Sequence, residues 1–199
     1  FLPGVPLPEG LAVSTDLADV LSGTPLVVFA VPSQYLRAVA EQATPLLAAG
    51  ATAVSVAKGL EKQADGFPLR MSQVLEQALG GRAAVAALSG PSHAEEVGRQ
   101  LPTAVVVAGQ NGPLVRDTCS TPWFRIYSSD DLPGVELGGA LKNPIAIAAG
   151  IGAGLGGGDN ALGALVTRGM YEIARLGEVA GAQERTFAGL SGIGDLVTT

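Results

Sequence analysis

The segment PLVVFAVPSQYLRAVA, residues 25–40, contains a transition from strand to helix. Leu26 to Val31 is a short apolar run rich in β-branched residues, and Pro32 ends it because proline cannot donate to a strand ladder. Apolar residues at helical spacing then run from Tyr35 to Leu46, and Ser33 is expected to cap that helix. The segment therefore predicts a buried strand followed directly by a helix.

The same pattern recurs through the first two thirds of the chain. Further buried strands are predicted at residues 52–57, 83–88 and 103–108, and the run at 124–127 is a candidate fifth strand. A second helical segment runs from Met71 to Leu79 and is followed by a pair of glycines, as expected at a helix C-terminus. Strands that alternate with helices predict right-handed crossovers and a doubly wound parallel sheet of the α/β class.

The pattern changes after Asp130, because no further β-branched strand run appears. Alanine, glycine and leucine then dominate at spacings that suit close-packed helices. Apolar residues at 141–149 would share one face of a first helix, and those at 162–176 would line a second. The sequence thus predicts a sheet-containing domain over residues 1–130 and the beginning of a helical domain over residues 131–199.

The composition excludes several classes of protein. Of the 199 residues, 47% are hydrophobic and 15% are charged, which is typical of a folded chain rather than a disordered one. The formal net charge of -6 argues against a nucleic-acid partner, because such binding depends on a basic surface. Any anionic ligand must therefore meet local positive groups.

The cysteine, histidine and apolar content restricts the setting further. The chain has one cysteine, Cys119, and one histidine, His93, so it can form neither an internal disulfide nor a zinc site of Cys and His ligands. The longest weakly polar stretch, residues 144–158, is too short and too glycine-rich for a membrane span, which needs roughly 20 apolar residues. These features predict a cytoplasmic protein with no metal site and no membrane span.

Lys58 lies directly after the predicted strand at 52–57 and before Gly59. In a doubly wound sheet, ligands bind off the carboxyl ends of the strands, which places residues 30–35 and 57–59 at one crevice. A long cation at this position could reach over the sheet edge toward an anion. The alternative is an exposed lysine at a strand end with no ligand.

The motif SGPSHAE, residues 89–95, follows the next predicted strand. Gly90 and the proline after it make a sharp exit from the strand, and Ser92 and Glu95 have the spacing of a capping box. The motif predicts a helix that starts at Ser92, with free N–H groups that could bind a phosphate or carboxyl group. A well-capped helix without a ligand would explain the same residues. A hydrolase triad of Ser92 and His93 is not supported, because no G-x-S-x-G motif is present.

The stretch VELGGALKNP, residues 135–144, places Lys142 on an otherwise small and apolar helix. Burial of a lysine there is costly, and a desolvated amine suits general acid–base work. The alternative is a lysine that extends to the surface beside Asn143. Asp195, in the glycine-rich segment GLSGIGDL at 189–196, could orient Lys142 or serve as a helix N-cap.

Six segments of the chain form an ordered set: LPG at 2–4, AVPS at 30–33, AKGLE at 57–61, SGPSHAE at 89–95, GVELGGALKN at 134–143 and GLSGIGDL at 189–196. Together they resemble the bacterial NAD(P)-dependent glycerol-3-phosphate dehydrogenases. The resemblance implies a partial Rossmann-like doubly wound parallel sheet, followed by part of an all-α substrate domain similar to the C-terminal domain of 6-phosphogluconate dehydrogenase. It also implies a piece of a longer protein, without the family's N-terminal G-x-G-x-x-G motif and C-terminal phosphate clamp, that is inactive alone.

The same resemblance implies hydride transfer between NAD(P)H and dihydroxyacetone phosphate, which yields sn-glycerol 3-phosphate for glycerophospholipid synthesis. It assigns general acid–base catalysis to Lys142. It places in the substrate site Lys58, Gly90, Ser92, Lys142, Asn143, Asp195 and Thr199. It places Tyr35, Lys58 and Ala94 against the NAD or NADP cofactor, and it implies a homodimer.

Two residues depart from the family's pattern. Pro144 stands where the family usually has an aliphatic residue, and Ala153 stands where an acidic residue is common. Pro144 also lacks a helix N–H, so a kink beside Lys142 is expected. Two alternatives stay open: another dehydrogenase of the β-hydroxyacid and 6-phosphogluconate dehydrogenase group, or a non-catalytic module that kept the fold. Substrate preference distinguishes the first, and cofactor binding without turnover distinguishes the second.

Overall fold

The computed structural model describes residues 2–199. Within this range the strands are β1 (Leu26–Phe29), β2 (Ala51–Ser55), β3 (Leu60–Glu61), β4 (Leu69–Arg70), β5 (Ala83–Ser89), β6 (Thr103–Gly109) and β7 (Phe124–Ser129). The α-helices are α1 (Leu17–Leu21), α2 (Ser33–Ala43), α3 (Met71–Leu79), α4 (Ala94–Gly98), α5 (Gly112–Cys119), α6 (Leu132–Gly154), α7 (Gly158–Val179), α8 (Glu184–Phe187) and α9 (Asp195–Val197). A 3₁₀ turn forms at Thr44–Leu46 and a π-helical turn at Leu190–Gly194. The candidate strand at 124–127 therefore forms and extends to Ser129.

The main sheet has the strand order β1-β2-β5-β6-β7, and β3 and β4 form a separate antiparallel pair. Neighbours in the main sheet are parallel except β5 and β6, which are antiparallel. The α/β prediction is confirmed, but the expectation of an all-parallel sheet is wrong at this pair. The helix between these strands, α4, has 5 residues and rises only about 7–8 Å. It cannot carry the chain back along β5, whose 7 residues span about 23 Å.

The reversal at β6 determines where the following helix starts. β1, β2 and β5 end at one edge of the sheet, since Phe29 pairs with Ser55 and Ser55 pairs with Ala87. We call this the carboxyl edge. β7 is parallel to β6 and therefore ends at the opposite edge. α6 begins there, packs along β5 and β6, and reaches the carboxyl edge where Gly139 meets Ser89.

Apolar side chains pack on both faces of the sheet. Ala53 and Val54 are consecutive in β2, yet they belong to different core clusters, as the two-residue period of a strand requires. The first cluster contains Leu36 of α2 and Leu75 of α3, and the second contains Val115 of α5. Full burial of an aliphatic side chain of this size stabilises the fold by about 1.5–3 kcal/mol.

The helical part is built on the contact between α6 and α7. Gly169 of α7 lets Ile145 of α6 approach, because a β-carbon at 169 would lie 2.6 Å from that side chain. Phe187 of α8 is buried against Gly177, where a β-carbon would overlap the ring. α6 is assigned as one helix that continues through Pro144. Although α6 and α7 have 23 and 22 residues, none of the described helices combines the length and hydropathy of a membrane span.

Two predicted helix starts are wrong. Ser33 is the first residue of α2, and its side chain does not cap the helix. α4 begins at Ala94 rather than at Ser92. The Ser92 hydroxyl instead donates to the carbonyl of Gly90 at 3.4 Å. The capping box predicted for Ser92 and Glu95 is therefore absent, and the five-residue α4 presents no capped anion site.

Candidate active site

Two lysines share one carboxylate at the carboxyl edge of the sheet. The Nζ atom of Lys142 donates to Oδ1 of Asp195 at 2.9 Å and to the backbone carbonyl of Asp195 at 3.2 Å. The Nζ atom of Lys58 donates to Oδ2 of Asp195 at 2.5 Å. Lys142 also donates to the hydroxyl of Thr199. We call Lys58, Lys142, Asp195 and Thr199 the lysine–aspartate cluster.

Three separate segments of the chain bring this cluster together. Lys58 follows β2 at the carboxyl edge, and Lys142 lies in the middle of α6. Asp195 is the first residue of α9, directly after the π-helical turn. Gly192 makes that turn possible, because a β-carbon there would overlap the backbone carbonyl of Phe187. The cluster thus depends on packing between the sheet and the helical part.

Two glycines allow α6 to lie close to both of its neighbours at this point. A β-carbon at Gly138 would lie 2.8 Å from the carbonyl oxygen of Ser191, and one at Gly139 would lie 2.6 Å from Oγ of Ser89. Side chains larger than hydrogen would push α6 away from the π-helical turn and from β5. The close approach leaves Lys142 only 3% exposed, so it does not extend to the surface.

The hydrogen bonds of Lys142 limit how a ligand can reach it. An ammonium group has three N–H donors, and Lys142 directs its donors to the carboxylate of Asp195, the carbonyl of Asp195 and the hydroxyl of Thr199. A new acceptor must therefore replace one of these partners. The carboxylate of Asp195 neutralises the buried ammonium group, and its carbonyl belongs to the backbone of α9, so the Thr199 hydroxyl is the partner whose replacement costs least.

The lysine–aspartate cluster carries a local excess of positive charge. Two ammonium groups face a single carboxylate, in a chain whose formal net charge is -6. Burial of an ion costs several kcal/mol unless its partners compensate, and the shared carboxylate compensates Lys142. The side chain of Lys58 is 35% exposed, so the excess charge faces solvent there. The arrangement can bind an anion at Lys58 and hold a proton at Lys142.

The other predicted site residues lie outside these hydrogen bonds. Gly90 directly follows β5 with φ of 139°, and a β-carbon there would lie 3.0 Å from the Cα of Val105. Ser92 and Ala94 are exposed on the segment that follows Gly90. Tyr35 on α2 is 58% exposed, and Asn143 is exposed beside Lys142. The structure thus brings Lys58, Lys142, Asp195 and Thr199 into contact, and within residues 2–199 the other predicted residues take no part in the hydrogen bonds of this cluster.

Two polar residues near the cluster were not predicted as site residues from the sequence. Ser89, the last residue of β5, is 7% exposed, and its Oγ has no hydrogen-bond partner within residues 2–199. Glu136 of α6 accepts hydrogen bonds from the backbone N–H and hydroxyl of Ser72 and from Arg70. Burial raises the pKa of Glu136, while the hydrogen bonds from Ser72 and the charge of Arg70 oppose that rise. An acid in the otherwise small and apolar run VELGGAL was the signal that could have singled out Glu136.

Two family profiles match the chain. Residues 1–114 match the profile described as NAD-dependent glycerol-3-phosphate dehydrogenase N-terminus. Residues 131–199 match the profile described as NAD-dependent glycerol-3-phosphate dehydrogenase C-terminus. The first profile covers β1 to β6 of the chain, and the second covers the helical part from residue 131 onward.

Curated relatives and solved structures agree with the profiles. The chain is 54% identical to the glycerol-3-phosphate dehydrogenase (NAD(P)+) of Syntrophomonas wolfei and 48% identical to that of Bacillus pumilus. Each alignment covers 100% of this chain but only 59% and 58% of the two relatives. Among solved structures, the glycerol-3-phosphate dehydrogenase of Coxiella burnetii is 40% identical with a TM-score of 0.91, over 100% of this chain and 60% of that one. The Plasmodium falciparum glycerol-3-phosphate dehydrogenase is 29% identical with a TM-score of 0.91, over 100% of this chain and 56% of that one.

Proposed function

The chain belongs to the NAD-dependent glycerol-3-phosphate dehydrogenase family, and we propose that the protein reduces dihydroxyacetone phosphate to sn-glycerol 3-phosphate with NADH or NADPH. The observation that carries this proposal is the lysine–aspartate cluster, in which a buried lysine and a partly exposed lysine share one carboxylate. The names of the curated relatives support the choice of reaction. Because the product is a precursor of glycerophospholipids, the proposal places the protein in lipid synthesis.

Lys142 supplies the proton in this proposal. As hydride reaches C2, the ketone oxygen gains negative charge, and an adjacent ammonium group both stabilises that charge and donates a proton. The carboxylate and carbonyl of Asp195 hold the Lys142 amine from one side. The ketone oxygen would take the place of the Thr199 hydroxyl as the third acceptor. General acid–base catalysis of this kind contributes about 10²–10⁴-fold to the rate.

Lys58 supplies the charge that an anionic substrate needs. The substrate carries a phosphate group, and the cluster presents its excess positive charge on the exposed part of Lys58. Asp195 accepts one hydrogen bond from Lys58, which fixes the direction of the side chain while leaving two N–H donors. Gly90, Ser92 and Asn143 complete the proposed substrate site around the carboxyl edge.

The carboxyl edge also suits a dinucleotide, because such cofactors bind where parallel strands end. At this edge, the buried hydroxyl of Ser89 makes no hydrogen bond within residues 2–199, and Gly90 beside it has no side chain. We place the contacts to NAD or NADP at Tyr35, Lys58 and Ala94. The nicotinamide would supply the hydride, while the protein supplies the proton and the orientation of the substrate.

We also propose that the two parts of the chain have different roles. Residues 1–130 would belong to the cofactor domain, which agrees with the position of β1 to β7, and residues 131–199 to the substrate domain, which contains α6 to α9. A homodimer is proposed from the family and from the prevalence of twofold assemblies. A cytoplasmic location is proposed from the single cysteine, which suits a reducing compartment.

The test is oxidation of NADH and NADPH by the full-length gene product with dihydroxyacetone phosphate. We expect turnover on this ketone, and we expect Lys142→Ala to lower kcat by about 10²-fold or more, because the proton donor is lost. Lys62→Ala is the matched control, since Lys62 is exposed on the segment after β3 and makes no side-chain hydrogen bond within residues 2–199. This control should retain the activity of the wild type.

A panel of 2-keto and 3-hydroxy acids decides between the alternatives. Activity on an acid but not on the phosphorylated ketone would assign the protein to the β-hydroxyacid and 6-phosphogluconate dehydrogenase group. Cofactor binding without turnover on any substrate would indicate a non-catalytic module. Equal losses in Lys142→Ala and Lys62→Ala would contradict the role given to Lys142.

A further inference from the structure

A buried carboxylate fastens α6 to the start of α3. The side chain of Glu136 is 7% exposed, and its Oε2 atom accepts from Arg70 Nη1 at 2.5 Å and from the Ser72 hydroxyl at 2.5 Å. Its Oε1 atom accepts from the backbone N–H of Ser72 at 2.7 Å. Ser72 itself is fully buried. These are charge-assisted hydrogen bonds, which are shorter and stronger than neutral ones.

Glu136 acts as a helix cap supplied from a distant part of the chain. Ser72 lies in the first turn of α3, where backbone N–H groups have no partner within the helix. A carboxylate at this end also interacts favourably with the helix dipole. Glu136 lies 64 residues further along the chain than Ser72, so this cap forms only when α6 is docked. The cap therefore ties the position of α6 to that of α3.

The contacts of Glu136 affect the position of Lys142, because both residues lie on α6. Glu136, Gly139 and Lys142 are spaced three residues apart, so they follow one another along adjacent turns of the helix. Glu136 contacts α3, Gly139 meets Ser89 and lies near Lys58, and Lys142 meets Asp195. The helix rises about 9 Å between Glu136 and Lys142. Because a helix is stiff over this length, a shift at Glu136 displaces the Lys142 amine.

The contact between Glu136 and Arg70 also affects the position of Lys58. Arg70, which is held by Glu136, pairs with Leu60 in the β3–β4 hairpin. Leu60 follows Lys58 and Gly59 directly in the chain. In the same hairpin, Arg37 of α2 holds Glu61, the residue after Leu60, through two hydrogen bonds of an ion pair. The Glu136 carboxylate, which fixes α6, therefore also fixes the segment that carries Lys58.

We propose that Glu136 is a positioning residue that sets the separation between Lys58 and Lys142. Its carboxylate holds both the helix that carries Lys142 and the hairpin that continues from Lys58. The effect on turnover rests on the proposed function, whereas the effect on structure does not. Glu136 touches neither lysine, so it acts through Arg70, Ser72 and the backbone of α6.

Glu136→Gln in the full-length gene product tests this role, with Glu172→Gln as the matched control. Glu172 pairs with Arg168 on the surface of α7, with 61% of its side chain exposed. Hydrogen exchange read by mass spectrometry should become faster in Glu136→Gln in two peptides, one over residues 58–61 and one over 137–142. Glu172→Gln should leave both peptides unchanged. Faster exchange in neither peptide, or in only one, would overturn the proposal whether or not the protein turns over dihydroxyacetone phosphate.

Steady-state kinetics separate positioning from general stability. Misplacement by about 1 Å can cost about 10²-fold in rate, so we expect kcat/KM for dihydroxyacetone phosphate to fall by about 10–10²-fold in Glu136→Gln. Because Lys58 also contacts the cofactor in the proposed site, the KM for the nicotinamide cofactor should rise in Glu136→Gln, whereas Glu172→Gln should leave it unchanged. Absence of turnover in the wild type would refute the proposed function alone, because the exchange experiment still decides the role of Glu136.

A double variant without charge, Arg70→Met with Glu136→Gln, provides the second comparison. The amide oxygen of the glutamine still accepts from the buried Ser72, and no guanidinium remains without its countercharge, so the melting temperature should recover relative to Glu136→Gln. A positioning role predicts that kcat/KM stays low, because residue 70 no longer connects the hairpin that continues from Lys58 to α6. Recovery of both the melting temperature and kcat/KM would show that Glu136 only stabilises the fold and would overturn the proposal.

Discussion

Gly138→Ala should destabilise the protein even though alanine favours helices. A β-carbon at residue 138 would lie 2.8 Å from the carbonyl oxygen of Ser191 and 3.0 Å from its carbonyl carbon. Both are backbone atoms of the π-helical turn, so rotation of a side chain cannot relieve the overlap. Overpacking of this kind costs about 1–3 kcal/mol, whereas the gain in helix propensity is about 1 kcal/mol. We therefore expect a net loss of up to about 2 kcal/mol.

Gly150→Ala is the matched control, because Gly150 lies on the same helix and a β-carbon there would meet no atom of residues 2–199 within 4 Å. Both variants gain the same helix propensity, so the difference between them isolates the steric cost. For a domain of roughly 150–250 residues, 1 kcal/mol corresponds to roughly 2–4 °C in Tm. Thermal unfolding should show Gly138→Ala melting roughly 2–12 °C below Gly150→Ala. Equal melting temperatures would refute the view that the π-helical turn is rigidly packed against α6.

Two further predictions concern charged groups. Asp195→Asn should lower the free energy of unfolding, measured in urea, by about 3–5 kcal/mol, because it leaves Lys142 buried without a countercharge. Asp159 is exposed, so the control Asp159→Asn should change this free energy little. Equal effects of the two substitutions would show that Asp195 is not needed to neutralise Lys142. The hydrogen bonds from Arg37 hold the pKa of Glu61 below its usual range, so this pair stabilises the fold above the ordinary glutamate pKa and loses that contribution as pH falls through the lowered value. In Glu61→Gln, the free energy of unfolding should therefore fall less steeply as the pH is lowered. The difference should be less than about 1 kcal/mol, since both side chains are partly exposed. If the free energy of unfolding in urea depends on pH in the same way in Glu61→Gln and the wild type, the Arg37–Glu61 pair does not contribute this stability.

Local patterns in the sequence were sufficient to predict most of the sheet. Each strand predicted from an apolar run is present, because a strand buried on both faces needs a continuous run of β-branched residues. The direction of β6 was not predictable in this way, since the run at 103–108 looks the same for either direction. The helix start predicted at Ser92 did not reveal that α4 has only 5 residues, which is too short for a crossover between parallel strands.

The candidate site was predictable in part for a similar reason. Lys58, Lys142 and Asp195 each stand out against small or apolar neighbours, so local sequence was enough to select them. Their partners are 53 to 137 residues apart, and no periodicity encodes contacts at that range. The cap that Glu136 supplies to α3 escaped notice for the same reason, because its hydrogen-bond partners lie 64 and 66 residues away.

The reversed strand β6 also explains how a lysine on a helix reaches the carboxyl edge. Because β7 ends at the opposite edge, α6 must cross the sheet, and the rise from Leu132 to Lys142 is about 15 Å. That length brings Lys142 to the end of β5 and within reach of the carboxylate that Lys58 also contacts. If β6 and β7 ran parallel to β5, α6 would start at the carboxyl edge and carry Lys142 away from it. The strand direction that the sequence pattern did not reveal is therefore the feature that assembles the lysine–aspartate cluster.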